Sequence, residues 1–408
     1  MNESLKLPIH QRVRFASQTR RQCPVCEGSN LQVFADFGPI PLQADMLWRQ
    51  KDDAQGVPGS ETRLAYCCDC THVFNLAFNN DLFQYANWYG QSIHQDSRFC
   101  KGGRLVVDRL IERYELQNKF ILELGNGCSE YAQLFSEIGE NSSEIVSINT
   151  TADQLERATV FPLKNFPNSK QCFMNQTADL FICQDFLEKT DRPVKFLRNL
   201  ANLVPISDQT IFYFEFADAR KFFEEKLFWD VDYRQCSYFN PYSASVLLTQ
   251  NGFTIIGAHS LDDGNGFSIE AVISQNSSGP ANVEPPASEV VFNMLENFNT
   301  RSQQKLEFAN QRIIENSQKR VVSAMIWCDP RSIRLLNLFN HNNLIPIVID
   351  PRFENQGLFI PGTGQRIRSL SAYFAINPGT LFLANPSIEM DIRELFTGLT
   401  LTTELIVL

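Results

Sequence analysis

Two closely spaced cysteine pairs stand within the first seventy residues of the chain, in the segments Cys23-Pro24-Val25-Cys26 and Cys67-Cys68-Asp69-Cys70. Two CxxC pairs separated by about forty residues can place four thiolates tetrahedrally around one zinc ion, because this borderline metal readily binds sulfur. The segment from about 20 to 80 contains few long apolar runs, so it is expected to need a metal ion to fold. The pattern therefore predicts a structural zinc site formed by Cys23, Cys26, Cys67 and Cys70.

Two other interpretations of this segment remain open. Cys68 or His72 can replace one of the four ligands, although the pairing of Cys67 with Cys70 keeps the spacing of the first pair. Four reduced cysteines without a metal are the second alternative. A catalytic metal is not expected here, because four cysteine ligands leave no open coordination position.

The composition is typical of a globular protein with more than one domain. The chain has 408 residues, of which 43% are hydrophobic and 20% are charged, and this length exceeds that of one ordinary core. The net charge of -10 argues against broad binding to nucleic acid or to anionic membranes, since both need clustered lysine and arginine. The sequence has no apolar run of about 18 residues and its first residues lack the apolar core of a signal peptide. We therefore expect a cytoplasmic protein whose cysteines are metal ligands and buried thiols rather than disulfides.

From about residue 104 onward, short apolar runs alternate with helical patterns. The runs expected to form strands are 120–124, 144–149, 178–183, 209–216, 253–258 and 267–273. This is mainly a βαβ series, which predicts a doubly wound sheet. After a linker near 277–289 and a helical pattern over 287–317, the runs 321–327, 345–350 and 380–384 predict a second, smaller α/β unit. We therefore predict an α/β protein with a zinc-binding module over 1–80, a doubly wound domain over 81–278, and a linker helix with a C-terminal α/β domain over 279–408.

The first strand of the doubly wound domain is followed by Gly125-Asn126-Gly127 and a helical pattern. A turn of this kind offers backbone N–H groups and a helix N-terminus to a ligand. Glu123 lies inside the strand and the third glycine of a GxGxxG motif is absent, and both features favour S-adenosylmethionine over a dinucleotide. A purely structural turn is the alternative.

Several stretches, taken together and in order, resemble the zinc-containing sugar C-methyltransferases. They are CPVC…YCCDC, LIERYELQNKFILELGNG, ADLFICQDFLEK, FWDVDYRQCSYF and IDPRFENQGLFIPGTG. The resemblance implies a Rossmann-like class I methyltransferase domain flanked by the zinc module and by a C-terminal Rossmann-like α/β domain. It also implies S-adenosylmethionine bound near Gly125 and methyl transfer to the carbon beside the ketone of a nucleotide-linked 4-keto-6-deoxy sugar. Tyr85, Trp88 and Tyr89 would then close the cleft, or else pack between domains.

The chain departs from these relatives where they carry a Glu-His pair followed by Ser-Tyr-Phe. Arg234 stands at the glutamate position and Gln235 at the histidine position. Neither residue can replace a histidine base, because glutamine has no titratable group and arginine stays protonated. Tyr238 remains as a candidate base if the cation of Arg234 stabilises its phenolate; its other interpretation is a packed, hydrogen-bonded ring.

The expected cofactor pocket differs from the relatives as well. Asn149 ends the second strand, where they usually have an acidic residue that holds the ribose hydroxyls, so affinity is expected to fall. Their pattern CRHVLEH is here Cys183-Gln184-Asp185-Phe186-Leu187-Glu188-Lys189. The residues expected at the cofactor are therefore Glu123, Gly125, Gly127, Asn149 and Asp185.

Two functions are consistent with this sequence. The first is a methyltransferase that acts on a nucleotide-linked sugar or a related small ketone. The second is a homologue without catalysis that binds a ligand or regulates an active paralogous methyltransferase.

Overall fold

The computed structural model describes residues 20–42, 44–80, 82, 99–125, 130–137, 144–149, 177–261, 264–273, 284–396 and 403–408. Gly127, Tyr85, Trp88 and Tyr89 lie outside these residues. Among the helices of the described ranges, none combines the length and the apolar character needed to cross a bilayer.

The N-terminal sheet is antiparallel and has the strand order β1-β2-β3-β8. Its strands are β1 (Leu31–Pro41), β2 (Gly59–Cys67), β3 (Val73–Asn75) and β8 (Ser237–Tyr238), with helix α1 (Lys51–Gln55) between β1 and β2. Strand β8 comes from the middle of the chain and pairs Tyr238 with Val73. A segment beyond residue 230 therefore completes the sheet of the cysteine module.

The central sheet has six described strands in the order β5-β4-β6-β7-β10-β9. The strands are β4 (Phe120–Gly125), β5 (Glu144–Asn149), β6 (Leu180–Gln184), β7 (Ile211–Ala217), β9 (Phe253–Ser260) and β10 (Gly266–Ile273). Strands β4 to β7 are parallel, whereas β10 runs antiparallel to both of its neighbours. The continuous apolar runs of β6 and β7 are buried, as expected for strands covered on both faces.

Helices cover this sheet in the alternating pattern expected from the sequence. They are α2 (Phe99–Tyr114), α3 (Glu130–Glu137), α4 (Pro193–Leu203), α5 (Ala219–Glu225) and α6 (Pro241–Thr249). The antiparallel β9–β10 hairpin closes one edge of an otherwise parallel sheet, which is a common arrangement in mixed sheets. The predicted α/β fold class, with a doubly wound sheet, is therefore confirmed.

The C-terminal sheet is parallel throughout, with the order β13-β12-β11-β14-β15. Its strands are β11 (Ser323–Ile326), β12 (Ile347–Ile349), β13 (Ile367–Arg368), β14 (Thr380–Leu383) and β15 (Glu404–Val407), and its helices are α8 (Pro330–Leu338), α9 (Leu370–Ile376) and α10 (Glu389–Leu395). The order is that of a Rossmann-like unit, as expected. Strands β13 and β15 were not predicted; β13 has only two residues, too few to produce a readable apolar pattern.

The long helix α7 (Ser288–Gln318) precedes this sheet, at nearly the predicted bounds. Its Phe298 is buried and lies 5.0 Å from the Phe223 ring of α5, whereas Phe223 lies 5.7 Å from Phe34 of β1. One hydrophobic cluster therefore contains side chains from the N-terminal, central and C-terminal parts. This shared core fixes the position of the segment between α5 and β8.

Candidate functional site

The four predicted zinc ligands lie together. The Sγ atoms of Cys23 and Cys70 are 3.5 Å apart, and so are those of Cys26 and Cys67. All four ligand atoms lie within 4.8 Å of one another. In a tetrahedral site with Zn–S bonds of about 2.3 Å, neighbouring sulfur atoms are about 3.8 Å apart. The prediction that these four cysteines form one cluster is confirmed, and their geometry fits a structural zinc ion.

The backbone around the cluster explains why the CxxC spacing produces this geometry. Glu27 and Thr71, each of which follows the second cysteine of a pair, have positive φ angles of 61° and 60°. The amide of Glu27 donates to the carbonyl of Cys23, and the amide of Thr71 donates to the carbonyl of Cys67. Two matching tight turns therefore turn both pairs toward a common point. A Cβ at Gly28 would lie 2.3 Å from the exposed carboxylate of Asp69, which would have to move aside.

The alternative ligands lie outside the cluster. Cys68 is half-buried and is not among the four grouped sulfur atoms. His72 is buried, and its Nε2 lies 3.2 Å from the hydroxyl of Ser237. Burial lowers the pKa of His72 to about 3, so its ring is neutral. Replacement of one cysteine ligand by Cys68 or His72 is therefore not supported.

Three predicted cofactor residues lie at or next to one edge of the central sheet. Gly125 of β4 pairs with Asn149 of β5 and with Gln184 of β6, so these three strands end at the same level. Glu123 is fully buried, and the amide of Tyr131 in the first turn of α3 donates to its Oε1 at 3.2 Å. The carboxylate of Glu123 thus links strand β4 to the helix that follows the glycine turn. Ligands of parallel sheets bind at this carboxyl edge.

Asp185 lies at the same edge, directly after β6. Its φ angle is 49°, and its exposed carboxylate pairs with Lys189 four residues later. The predicted residue is therefore near the carboxyl edge of the sheet, with its charge balanced by a lysine from its own turn.

Arg234 is held by acidic side chains rather than directed at a reacting group. Its guanidinium contacts both carboxylate oxygens of Asp232, and its Nη1 lies 2.8 Å from Asp45 of the N-terminal module. Asp232 also pairs with Arg334 of α8 at 3.2 Å. Burial alone would raise the pKa of Asp232, but Arg234 and then Arg334 outweigh it and hold that pKa well below its usual range. This ion-pair network connects all three parts of the chain.

The space around this network is small. A cavity of about 10 Å³ lies between Asp45, Asp232, Arg234 and Arg334, which is on the order of one water molecule. Gln235 is half-buried next to it, and its amide donates to the carbonyl of Asp232. A sugar does not fit beside Arg234 in this arrangement.

Tyr238 does not have the environment that a phenolate base requires. Its side chain is 1% exposed and packs 5.1 Å from Phe222 and 5.2 Å from Phe223. Burial, followed by the charge of Asp232, raises the pKa of Tyr238 far above 10. The carboxylates of Asp232 and Asp45 occupy the guanidinium of Arg234. The hypothesis that Arg234 turns Tyr238 into a base is therefore corrected, because burial and the charge of Asp232 disfavour the phenolate more than the charge of Arg334 favours it.

Glu188 is a functional candidate that the sequence interpretation missed. It lies in the 3₁₀ turn Leu187–Lys189 after β6 and is 2% exposed. The amide of Ala217 donates to its Oε1 at 3.0 Å. Burial, and then the charge of Asp185, raises the pKa of Glu188 to about 8. The sequence could have pointed to Glu188 through the pattern CRHVLEH of the proteins that the chain resembles. At these positions the chain keeps the glutamate but has other residues in place of the arginine and both histidines.

The corresponding crevice of the C-terminal sheet is closed by hydrogen bonds. Asp329 follows β11 and caps α8 through the amide of Ser332 at 2.9 Å. Its second oxygen accepts from Asn385, which follows β14 and in turn accepts from Arg331 at 2.7 Å. Polar side chains therefore fill the switch point between β11 and β14, where a Rossmann-like sheet would bind a ligand.

Comparisons with known proteins give similarity of structure only. No family model matches the chain, and no curated protein matches it. Among solved structures, a SAM-dependent methyltransferase from Aquifex aeolicus is 16% identical, with 41% of this chain and 89% of that chain covered and a TM-score of 0.29. A S-adenosylmethionine-dependent methyltransferase from Clostridium acetobutylicum ATCC 824 is 12% identical, with 48% and 100% covered and a TM-score of 0.31. The mitomycin 7-O-methyltransferase MmcR is 13% identical, with 48% and 57% covered and a TM-score of 0.31.

At these levels of identity the matches say nothing about substrate or activity. The fold assignment rests on the strand order of the central sheet, with β10 antiparallel between β7 and β9. The central part of this chain has a Rossmann-like doubly wound fold with an antiparallel edge, flanked by a four-cysteine module and a second Rossmann-like sheet.

Proposed function

We propose that this protein binds S-adenosylmethionine at the carboxyl edge of β4 and β5 and methylates a carbon beside the ketone of a nucleotide-linked sugar. The proposal rests on the alignment of the carboxyl ends of β4, β5 and β6, where Gly125 pairs with Asn149 and with Gln184. It also rests on the carboxylate of Glu123, which fixes the start of α3. The turn between β4 and α3 would present backbone N–H groups to the carboxylate of the ligand. Asn149 would hold the ribose hydroxyls.

The chemistry requires a methyl donor and a carbon nucleophile. The sulfonium of S-adenosylmethionine supplies an electrophilic methyl group when it is bound. The chain must supply a base for the proton beside the ketone and must exclude water from the resulting enolate. Arg234 and Gln235 supply no such base, so the proton acceptor has to come from elsewhere in the cleft.

The four-cysteine cluster has a structural role in this proposal. Cys23, Cys26, Cys67 and Cys70 would bind one zinc ion with no position left for substrate. The ion would join the loop before β1 to the end of β2, and β8 extends the same sheet toward Gln235. The metal would therefore position the segment that carries Gln235 without taking part in methyl transfer.

A second candidate function is that of a partner protein that binds the cofactor without turnover and regulates an active paralogous methyltransferase. The ion pairs of Arg234 favour it, because they use the position of the relatives' acid for a contact among the three parts of the chain. Such a protein would bind S-adenosylmethionine and leave its methyl group intact.

Two measurements separate these functions. Calorimetric titration with S-adenosylmethionine and S-adenosylhomocysteine should give a Kd in the micromolar range, on the order of -8 kcal/mol. Incubation with the radiolabelled methyl donor and thymidine diphosphate-4-keto-6-deoxyglucose should give labelled sugar nucleotide. Binding of S-adenosylmethionine without labelled sugar nucleotide would favour the partner function. If neither S-adenosylmethionine nor S-adenosylhomocysteine binds, both proposed functions are wrong.

Asn149→Asp is expected to strengthen binding of S-adenosylmethionine about tenfold, because a charged acceptor forms stronger hydrogen bonds with the ribose hydroxyls than an amide does. The same calorimetric titration measures the gain. Asp36→Asn, on the exposed face of β1, provides a control for unrelated charge effects. Equal affinities of Asn149→Asp and the unchanged protein would contradict the proposed ribose contact.

A further inference from the structure

Glu188 is a buried carboxyl group, and few contacts offset the cost of removing its carboxylate from water. Its Oε1 accepts from the amide of Ala217 at 3.0 Å, whereas its Oε2 has no hydrogen-bond partner among the described residues. Within the same ranges, no lysine, arginine or histidine forms an ion pair with it, although the charge of Lys189 works against the upward shift of its pKa. An ionised carboxylate in such a site lacks the charge partner that normally offsets its desolvation.

Glu270 shows what a compensated buried glutamate looks like in this protein. It is fully buried in β10, but Arg113 lies 2.9 Å away, Arg109 lies 3.3 Å away and His259 lies 3.4 Å away. These contacts fasten α2 to the β9–β10 hairpin, so the role of Glu270 is structural. Glu188 has the same degree of burial without these cations, and simple stabilisation of the fold does not explain its presence.

The position of Glu188 connects it with the proposed site. It follows Gln184 and Asp185 at the carboxyl edge of β6, and the amide that binds it ends β7. The carbonyl of Glu188 accepts from the thiol of Cys236 at 3.5 Å. Cys236 immediately follows Gln235, where the relatives have a histidine. Glu188 therefore lies between the cofactor edge and the segment from which the expected base is missing.

We propose that Glu188 is the proton acceptor of this protein, in place of the histidine that is absent at position 235. The inference rests on the proposed methyltransferase function. The carboxylate of Glu188 takes the proton from the carbon beside the ketone, and the electron pair of that bond moves into the enolate. The enolate carbon then forms a bond to the methyl carbon as the methyl–sulfur bond breaks, and the ketone is restored. The proton finally passes from Glu188 to solvent.

The pKa of about 8 suits this role. At pH 7 about a tenth of such groups are ionised, and each carboxylate is a stronger base than an exposed glutamate, as general-base catalysis near neutral pH requires. Among the neighbouring groups, Asp185 and Lys189 lie on the same turn and pair with each other. Burial raises the pKa of Cys236 to about 12 and that of Cys183 well above 9, so both thiols stay neutral. Arg20 pairs with Asp191 on the N-terminal side.

The first test uses Glu188→Gln, which keeps an acceptor for the Ala217 amide and removes the charge, with Glu270→Gln as a matched control. Because the pKa of Glu188 is raised on folding, the folded state holds its proton more tightly, and stability falls as the pH rises from about 4.5 to about 8. Urea unfolding of the unchanged protein should show this fall, and Glu188→Gln should lose much of it and be more stable at pH 8. Glu270→Gln should be less stable over the same pH range, because it removes the negative charge that pairs with Arg109 and Arg113.

The second test follows proton removal without methyl transfer. Thymidine diphosphate-4-keto-6-deoxyglucose is incubated in D₂O with each protein and S-adenosylhomocysteine, and deuterium beside the ketone is measured by NMR against a sample without protein. The unchanged protein should catalyse exchange at a rate that rises to a plateau above pH 8. Glu188→Gln should bind S-adenosylhomocysteine normally and exchange about 100-fold to 10,000-fold more slowly.

The outcomes separate the inference from the function on which it rests. If the unchanged protein and Glu188→Gln both exchange and methylate at similar rates, the role of Glu188 is wrong and the methyltransferase function stands. If the unchanged protein binds the cofactor but neither exchanges nor methylates, the methyltransferase function fails and the inference fails with it. If Glu188→Gln does not fold, the pH profile of deuterium exchange by the unchanged protein tests the proposal instead. An exchange rate that does not rise toward pH 8 would overturn the assignment of Glu188 as the proton acceptor.

Discussion

Cys67→Ser is expected to abolish stoichiometric zinc binding and to lower the free energy of unfolding by at least about 5 kcal/mol, because structural zinc sites contribute on the order of 10 kcal/mol to folding. Cys67 ends β2, and its Sγ lies 3.5 Å from that of Cys26. The N-terminal sheet continues through β3 to β8, so the loss should also disturb the segment that carries Gln235. Metal analysis of the purified protein and urea unfolding measure the two effects.

Cys68→Ser is the matched control for this prediction. Cys68 is the next residue in the chain, but its sulfur lies outside the group of four. This variant should keep one zinc ion per chain and nearly the full stability. Equal zinc contents of the two variants, or one zinc ion per chain in Cys67→Ser, would contradict the cluster as a zinc site.

Arg234→Met is expected to lower the free energy of unfolding by about 2 kcal/mol. The change leaves Asp45 without its arginine and leaves Asp232 with Arg334 alone. Removal of one partner of a buried ion pair costs about 3 to 5 kcal/mol, and the side chains of Arg234 and Asp232, which are 32% and 29% exposed, reduce that value. Urea unfolding at pH 7 measures the difference.

Arg63→Met is the control, because Arg63 and Asp36 form an ion pair of 2.7 Å on an exposed surface. Exposed pairs contribute about 0 to 1 kcal/mol, so this variant should be nearly as stable as the unchanged protein. Similar losses for the two variants would contradict the role of the network in holding the three parts together.

The same network predicts a loss of stability in acid. The folded pKa of Asp232 is lowered below its unfolded value, so its contribution is present above the unfolded pKa of about 4 and is lost as the pH falls below it. Urea midpoints measured from pH 6 to pH 3 should therefore fall less steeply in Arg234→Met than in the unchanged protein. Parallel curves would show that Arg234 does not lower the pKa of Asp232.

Local patterns in the sequence predicted much of the fold and the metal cluster. The apolar runs located the strands of the central sheet, since a buried parallel strand needs such a run whatever surrounds it. The two CxxC turns determine their own geometry through residues such as Glu27 and Thr71, so the four-cysteine cluster was predictable from spacing. Strand β8 was not, because two residues carry no periodicity and pair only when β3 is already in place.

The roles of charged residues depended on partners far away in the chain. From the resemblance, the sequence predicted that Arg234 and Gln235 stand in place of an acid and a base and that Asn149 is a changed cofactor contact. Only the tertiary structure placed Asp45 and Arg334 around Arg234 and Asp232, and the aromatic rings around Tyr238.

The sequence by itself therefore predicted which four cysteines lie together and the order of the strands along the chain. The tertiary structure decided that Glu188 is buried with no ion-pair partner among the described residues, and it placed Glu188 next to Cys236. The physical reason is that strand patterns and cysteine turns arise from neighbouring residues. The pKa of a side chain, by contrast, depends on the burial and the charges that folding brings to it.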